Sequence, residues 1–338
     1  MILRKTLSLA VLSGLCFSLA AKAEDPPDAS TVVDTFEKLG GVHKGMRRNH
    51  TKGVCVAGSF TGTNEAREYS SSALFSGKEV PVVGRFSVAG PNPGAADASK
   101  SPRGFGLQFK LPKDELQQTA MLNIPIFPVS TVQGFYESLL INLPDPATGK
   151  PDPEKGKAFG ANHPEAKPFM EWMGTHNAPP SYTEAAYYGL SAYKFTNGQK
   201  ETWVRWHFVP HDGAKFLTDA EAAAAPHDFL DQKLADRVKK GPVKWDMIVT
   251  IAEKGDSTSD PSSPWPAGRK EIKAGVLSLT KGGLDQTALC DDINFDPNVA
   301  SAGIEPSADD QILQYRSQAY AESFTRREGE KETQSSKK

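Results

Sequence analysis

From Lys244 to Glu253 every second residue is large and apolar: Trp245, Met247, Val249 and Ile251. Successive side chains of a strand point to opposite faces, so this pattern gives one buried face and one facing away. The same period recurs over 50–62 (Val54, Val56, Phe60), 80–89, 105–111, 191–196, 201–209 and 271–280. Asn197-Gly198 joins two of these runs with the turn chemistry of a tight hairpin. Strands in such number, broken up by helical stretches, predict an α+β fold. A largely antiparallel sheet closes into a barrel and helices pack outside it.

The helical stretches carry their own signals. Ser30 is expected to cap a helix bearing Val32, Val33, Phe36 and Leu39, stopped by Gly40-Gly41. A second helix opens at Val129-Ser130 with Phe135, Leu139 and Leu140 on one side. A third covers 218–240, is broken by Pro226 and ends at Gly241; a fourth covers 308–324. Segments 144–168 and 255–269 read as loops rich in Pro. The stretch 328–338 is charged and poor in apolar residues, and is expected to be a disordered tail.

Residues 1–23 have the form of a secretory signal. Arg4 and Lys5 precede an apolar run from Leu7 to Ala20, and Ala21-Lys22-Ala23 supplies a small-x-small cleavage site. The mature chain then begins at Glu24, with 24–327 as its folded core, in an oxidising extracytoplasmic space such as the periplasm. No other segment has the apolar length to span a membrane. Two cysteines survive processing, Cys55 and Cys290. Cys55 falls in an inner strand, where a thiol serves as a small hydrophobe, so both are expected to be unpaired, a bridge between them being the alternative in a secreted chain. With 39 basic against 41 acidic side chains, nothing points to nucleic acid.

Near the C-terminus stands Arg316-Ser317-Gln318-Ala319-Tyr320. On a helix, Arg316 and Tyr320 share one face, four residues apart. A guanidinium beside a phenol favours its anionic form. A phenolate is one of the few protein anions that can ligate haem iron. Such pairs are common as plain helix neighbours, and this one gains weight from its companions. They are Arg47-Arg48-Asn49-His50-Thr51-Lys52-Gly53, Gly84-Arg85-Phe86-Ser87-Val88-Ala89-Gly90, Ala96-Asp97, Pro102-Arg103-Gly104-Phe105, Asn123-Ile124-Pro125-Ile126-Phe127, Gly303-Ile304-Glu305-Pro306-Ser307 and Arg327. In that order and at those separations the blocks resemble the haem catalases, over about Arg47 to Arg327.

The resemblance implies an eight-stranded antiparallel barrel with a ferric haem b between barrel and helices, without the further C-terminal helical domain of the catalases. This is similar to the shorter catalase-related peroxidases of bacterial secretory compartments. His50 matches the distal histidine, the group that moves a proton between the two oxygens of a peroxide. Ser87 matches the serine that orients it. Tyr320 matches the axial phenolate, for which catalase is the standard case, and Arg316 the arginine beside it. Arg47, Arg85 and Arg327 match arginines that face the haem carboxylates. Phe127 and Phe135 match aromatic residues lining the distal side.

Four departures bear on activity. Where the catalases carry two asparagines, an ungapped match gives Leu122 and Asn123. Either the backbone shifts by one residue and Asn123 serves as the catalytic amide, or the pocket lacks one there. Asn49 stands where the catalases have an aliphatic residue. Pro128 replaces a phenylalanine, and the spacing from Gly303 to Arg316 is one residue longer. A looser pocket favours organic electron donors over a second, tightly oriented peroxide. The expected activity is therefore a haem peroxidase acting on hydrogen peroxide or organic hydroperoxides, with small organic reductants and little catalase turnover. Hydroperoxide rearrangement of the allene oxide synthase kind and non-catalytic haem carriage are the alternatives. A monomer or dimer is expected.

Overall fold

The structure, a computed structural model, describes residues 25–336, so the expected signal segment lies outside the described residues. Nine strands form one sheet: β1 (Gly53–Gly62), β2 (Glu79–Val88), β3 (Arg103–Lys110), β4 (Leu116–Leu122), β5 (Tyr187–Asn197), β6 (Lys200–Pro210), β7 (Val243–Ile251), β8 (Glu271–Gly282) and the short β9 (Ile304–Pro306). Their order is β4-β3-β2-β1-β8-β7-β6-β5-β9, and β4 also pairs with β5 through Leu122 and Tyr188. Eight antiparallel strands therefore close into a barrel, with β9 an addition on β5. Closure needs strong local curvature. Register shifts at Ala57/Gly58, Gly189/Tyr193 and Met247/Ile248 supply it, as bulges do.

The barrel interior is filled. Phe86 stacks on Phe105 with ring centroids 4.1 Å apart, and Phe60 meets Phe109 edge-on at 5.3 Å. Trp245 and Tyr187 close the same cluster, and Trp245 satisfies its indole N–H on the Ala185 carbonyl. This leaves the outer face of β1–β4 to carry any site. The pleat that points Phe86 and Phe105 inward turns Arg85, Ser87, Gly104 and Gly106 outward. Register aligns Gly53, Ser87, Gly104 and Leu122 in one outward row, and Cys55, Arg85, Gly106 and Ala120 in the next. Two rows of mostly small residues make a floor that flat groups can approach.

Among the described residues eight α-helices surround the barrel: α1 (Ala29–Gly40), α2 (Asn64–Arg67), α3 (Val132–Leu140), α4 (Pro153–Asn162), α5 (Lys167–Thr175), α6 (Asp219–Ala224), α7 (Leu230–Lys239) and α8 (Gln311–Ser335). The caps differ slightly from expectation: Asp28, not Ser30, caps α1, and Thr131 caps α3. The break at Pro226 is real and separates α6 from α7. Two helices occupy or border the stretch expected to be loop. Asp152 with Pro153 at the first turn starts α4. No helix among the described residues is long and apolar enough to cross a membrane.

Two expectations are corrected. Cys55 and Cys290 form a disulfide, their Cα atoms 5.6 Å apart. The pairing joins residues 235 apart in sequence, beyond the reach of any local pattern. The expected tail is helical as far as Ser335. Ion pairs replace apolar burial there: Glu330 accepts from Gly45 N–H at 2.8 Å and pairs with the buried Arg48, while Lys331 reaches Asp291 at 2.6 Å.

Candidate functional site

A cavity of about 320 Å³ lies between the outer face of β2–β4 and the helices α1, α3 and α8. It brings together His50, Ser87, Arg47, Arg85, Phe127, Phe135, Arg316, Tyr320 and Arg327. Nine of the ten expected site residues thus meet in one place, from segments almost the whole chain apart.

His50 enters β1 in the left-handed region, at φ 55°. That conformation costs a non-glycine residue ~1–2 kcal/mol and needs support from its surroundings. Both backbone groups of His50 are held: its N–H donates to Asn49 Oδ1 at 2.8 Å, and its carbonyl accepts from Arg85 Nη1 at 2.8 Å. The imidazole Nδ1 meets Ser87 Oγ at 2.9 Å, which leaves Nε2 for the cavity. Gly104 is required beneath this pair. A Cβ there would lie 2.6 Å from Ser87 Oγ and 2.7 Å from His50 Nδ1. Burial drives the His50 pKa down to about 3, and the charges of Arg85, Arg316 and Arg47 add to the effect. The ring is neutral at any ordinary pH.

On α8, Arg316 donates from Nη2 and Nε to Tyr320 Oη at 2.8 and 3.2 Å. The same Nη2 reaches the Ala120 carbonyl at 3.1 Å and ties the helix to β4. Two donors from one cation thus converge on the phenol oxygen. Burial disfavours the Arg316 charge, but Tyr320 and its neighbours outweigh that and raise its pKa.

At another part of the cavity, three guanidinium groups crowd together. Arg47 donates to the carbonyls of Ile293 and Cys290 at 2.7 and 3.2 Å. Its pKa is held well below the usual arginine value by burial and by the charges of Arg85 and Arg327. Arg85 is pushed to about 10, burial being the main cause. Arg327 is fully buried, and its Nη2 has no partner among the described residues. A buried cationic donor with nothing to bond is costly, and it marks a place for an anion.

Asn123 is not part of this cavity. Its Oδ1 accepts from Arg103 N–H at 2.6 Å and its own N–H donates to the Arg103 carbonyl, so it zips the end of β4 to the start of β3. Leu122 borders the cavity instead. The backbone does not shift to present the expected amide, because Asn123 is already committed to the sheet. Asp97, another of the matching blocks, is also structural: its Oδ2 caps α7 by accepting from Phe229 and Leu230 N–H groups at 2.6 and 2.8 Å. Sequence reasoning missed Phe295 and the α1 face of Val32, Val33 and Phe36 as wall residues. The α1 stripe was visible as an apolar face, but no pattern says which neighbour such a face covers.

A closed eight-stranded barrel with its cavity on the outer face, under a helix bearing an Arg–Tyr pair, defines the haem catalase class of fold. The structure superposes on catalase A from Saccharomyces cerevisiae with a TM-score of 0.75 at 25% identity, over 83% of this chain and 61% of that one. A family model described as Catalase matches residues 38–335. The chain is 50% identical over 297 residues to the catalase-related peroxidase of Synechococcus elongatus, covering 88% of this chain and 87% of that one. It is 31% identical to the catalase-related peroxidase of Mycolicibacterium paratuberculosis, covering 88% and 94%. The chain belongs to the catalase family and, within it, to the catalase-related peroxidases.

Proposed function

We propose that this chain is a haem-dependent peroxidase that reduces hydrogen peroxide or organic hydroperoxides with small organic electron donors. The observation that carries the reading is a single cavity lined by a histidine with a free ring nitrogen and by a tyrosine whose oxygen is held by arginine. The residues present fit a haem b: Tyr320 would ligate the iron, while Arg47, Arg85 and Arg327 would bind its carboxylates. The unpaired Arg327 Nη2 supports that fit. When bound, the haem supplies a ferric centre for peroxide and a store of oxidising equivalents.

The protein's part is positioning and proton movement. His50 Nε2 takes the proton from one peroxide oxygen and delivers it to the other. Ser87 fixes the ring plane and Arg85 fixes the backbone that carries the ring. Arginine charge contributes to the low basicity of His50, and a bound carboxylate would offset it. Phe127 and Phe135, with ring centroids 5.9 Å apart, line the cavity with apolar surface. The signal-like segment and the disulfide support export to an oxidising compartment such as the periplasm.

Two measurements test this. The purified protein should show high-spin ferric absorption with a phenolate charge-transfer band. It should also oxidise an aromatic donor in a peroxide-dependent way. Product from a fatty-acid hydroperoxide without any reductant would favour the rearrangement reading. An H50A variant with normal haem content and unchanged turnover would overturn catalysis by this site.

A further inference from the structure

Asn49 borders the same cavity as His50, one residue before it. Its Oδ1 is fully used: it accepts from the N–H groups of His50 and Gly90 at 2.8 and 2.9 Å. Those two bonds fix the amide and leave Nδ2, which makes no hydrogen bond among the described residues. The side chain is only part-buried, so this donor is open to a ligand. Other polar groups near the imidazole are taken. Ser87 serves His50, Tyr320 and Arg316 serve each other, and Asn123 is bound to Arg103. Asn294, the other amide bordering the cavity, sits next to the Ile293 carbonyl that holds Arg47, at the guanidinium cluster.

We infer that Asn49 Nδ2 donates a hydrogen bond to the outer oxygen of the bound peroxide and is a catalytic residue of this chain. The inference rests on the haem peroxidase reading and adds a residue to it. When the O–O bond breaks, its electron pair goes to the outer oxygen. That oxygen already carries a hydrogen or, in an organic hydroperoxide, a carbon; it receives the proton His50 took from the inner oxygen and leaves as water or an alcohol. The inner oxygen is left two electrons short, and a bound haem would supply them. Negative charge develops on the outer oxygen before the proton arrives, and a fixed amide donor stabilises it without giving up a proton. The same two bonds that strap His50 in its left-handed conformation therefore aim the donor. One side chain positions the base and contacts the substrate.

The test uses haem-loaded protein and two ferric haem ligands. Fluoride is an anion that accepts hydrogen bonds; imidazole is neutral and reports the space and access of the cavity. N49A removes the donor together with the backbone strap. N49S keeps a short hydroxyl able to accept a local backbone N–H while withdrawing the donor from the cavity. In both variants the fluoride Kd, read from the visible spectrum, should rise about tenfold or more, and the imidazole Kd should stay within about twofold. Peroxide kcat/KM should fall by up to ~10²-fold, the size expected for loss of a preorganised donor. N294A should leave fluoride binding unchanged. Equal shifts for both ligands, or wild-type fluoride affinity in N49S, or loss of fluoride affinity in N294A, would each overturn the assignment. If the wild-type protein shows no ferric haem response to either ligand, the haem reading fails first, and that outcome is separately visible.

Discussion

Replacing Gly104 by alanine tests how tightly the distal pair is built. The added Cβ would lie 2.7 Å from His50 Nδ1 and 2.6 Å from Ser87 Oγ, where ordinary contact begins at 3.4 Å. By difference, the imidazole must retreat by roughly 0.7 Å and the hydroxyl by roughly 0.8 Å. Neither can do so freely. The ring hangs from a left-handed backbone tied to Arg85 and Asn49, and Ser87 lies within the ladder between β1 and β3. A displacement approaching 1 Å in a catalytic group costs ~10²-fold in rate, while overpacking a tight site costs ~1–3 kcal/mol in stability. G104A should therefore keep its haem, melt a few degrees lower, and lose roughly one to two orders of magnitude in peroxide kcat/KM. S87A removes one of the three clashing atoms, so the double variant S87A/G104A should be less impaired than the product of the single effects. Wild-type kcat/KM in G104A at full haem occupancy would refute the idea that this glycine makes room for the histidine.

Three further outcomes follow from the same geometry. R327L should weaken haem binding by about one to two orders of magnitude, the worth of a hydrogen bond to a charged group, yet leave the haem-free protein no less stable; haem titration and melting of both forms check the opposite signs. Breaking the Cys55–Cys290 bond, by reduction or as the double serine variant, should lower stability by ~2–4 kcal/mol and speed haem loss, because Cys290 and Ile293 offer their carbonyls to Arg47; denaturant melts and haem transfer to a scavenger measure the two effects. His163 meets Glu137 at 2.7 Å and Glu165 at 3.0 Å, and although burial opposes its charge, these bonds raise its pKa. Its contribution to stability is therefore full below its unfolded pKa near 6.5 and is lost as pH rises through the higher folded value, so melting temperature should decline across that window in the wild type and less so in H163Q.

The barrel was legible wherever a strand alternates. Seven of its eight strands show that period, and the hairpin at Asn197-Gly198 lies where its dipeptide indicates. The eighth, β4, was not visible, because Gln117, Gln118 and Thr119 are all buried in it. Their polar groups are satisfied in the fold: Gln118 donates to Gln108 at 2.6 Å, and Gln117 accepts from Ser301 N–H at 2.9 Å. Hydrophobic periodicity cannot report a strand whose inner residues are amides. The helical run past Glu328 was hidden for a related reason. Its anchors are the ion pairs of Glu330 and Lys331 with loops that are remote in sequence. Composition correctly reports a segment without an apolar face, and says nothing of partners waiting elsewhere.

The site divides along the same line. Resemblance located nine cavity residues, but only the fold separates those that face the cavity from those that hold the sheet. Asn123 and Asp97 look equally polar on the page; one is bound to Arg103 and the other to the start of α7. The distinguishing quantity is whether a polar atom already has a partner. By that measure Arg327 Nη2, His50 Nε2 and Asn49 Nδ2 form a set: donors or acceptors that border the cavity and that the folded chain itself leaves without a bond. Of the three, Arg327 Nη2 is the buried one and raises the free energy of the fold, while His50 and Asn49 are only part-buried at the cavity. That cost is tolerated because a barrel packed with aromatic rings and a long-range disulfide stabilise the structure independently of the site. The polar groups can then be arranged for a ligand's charges, with stability secured elsewhere.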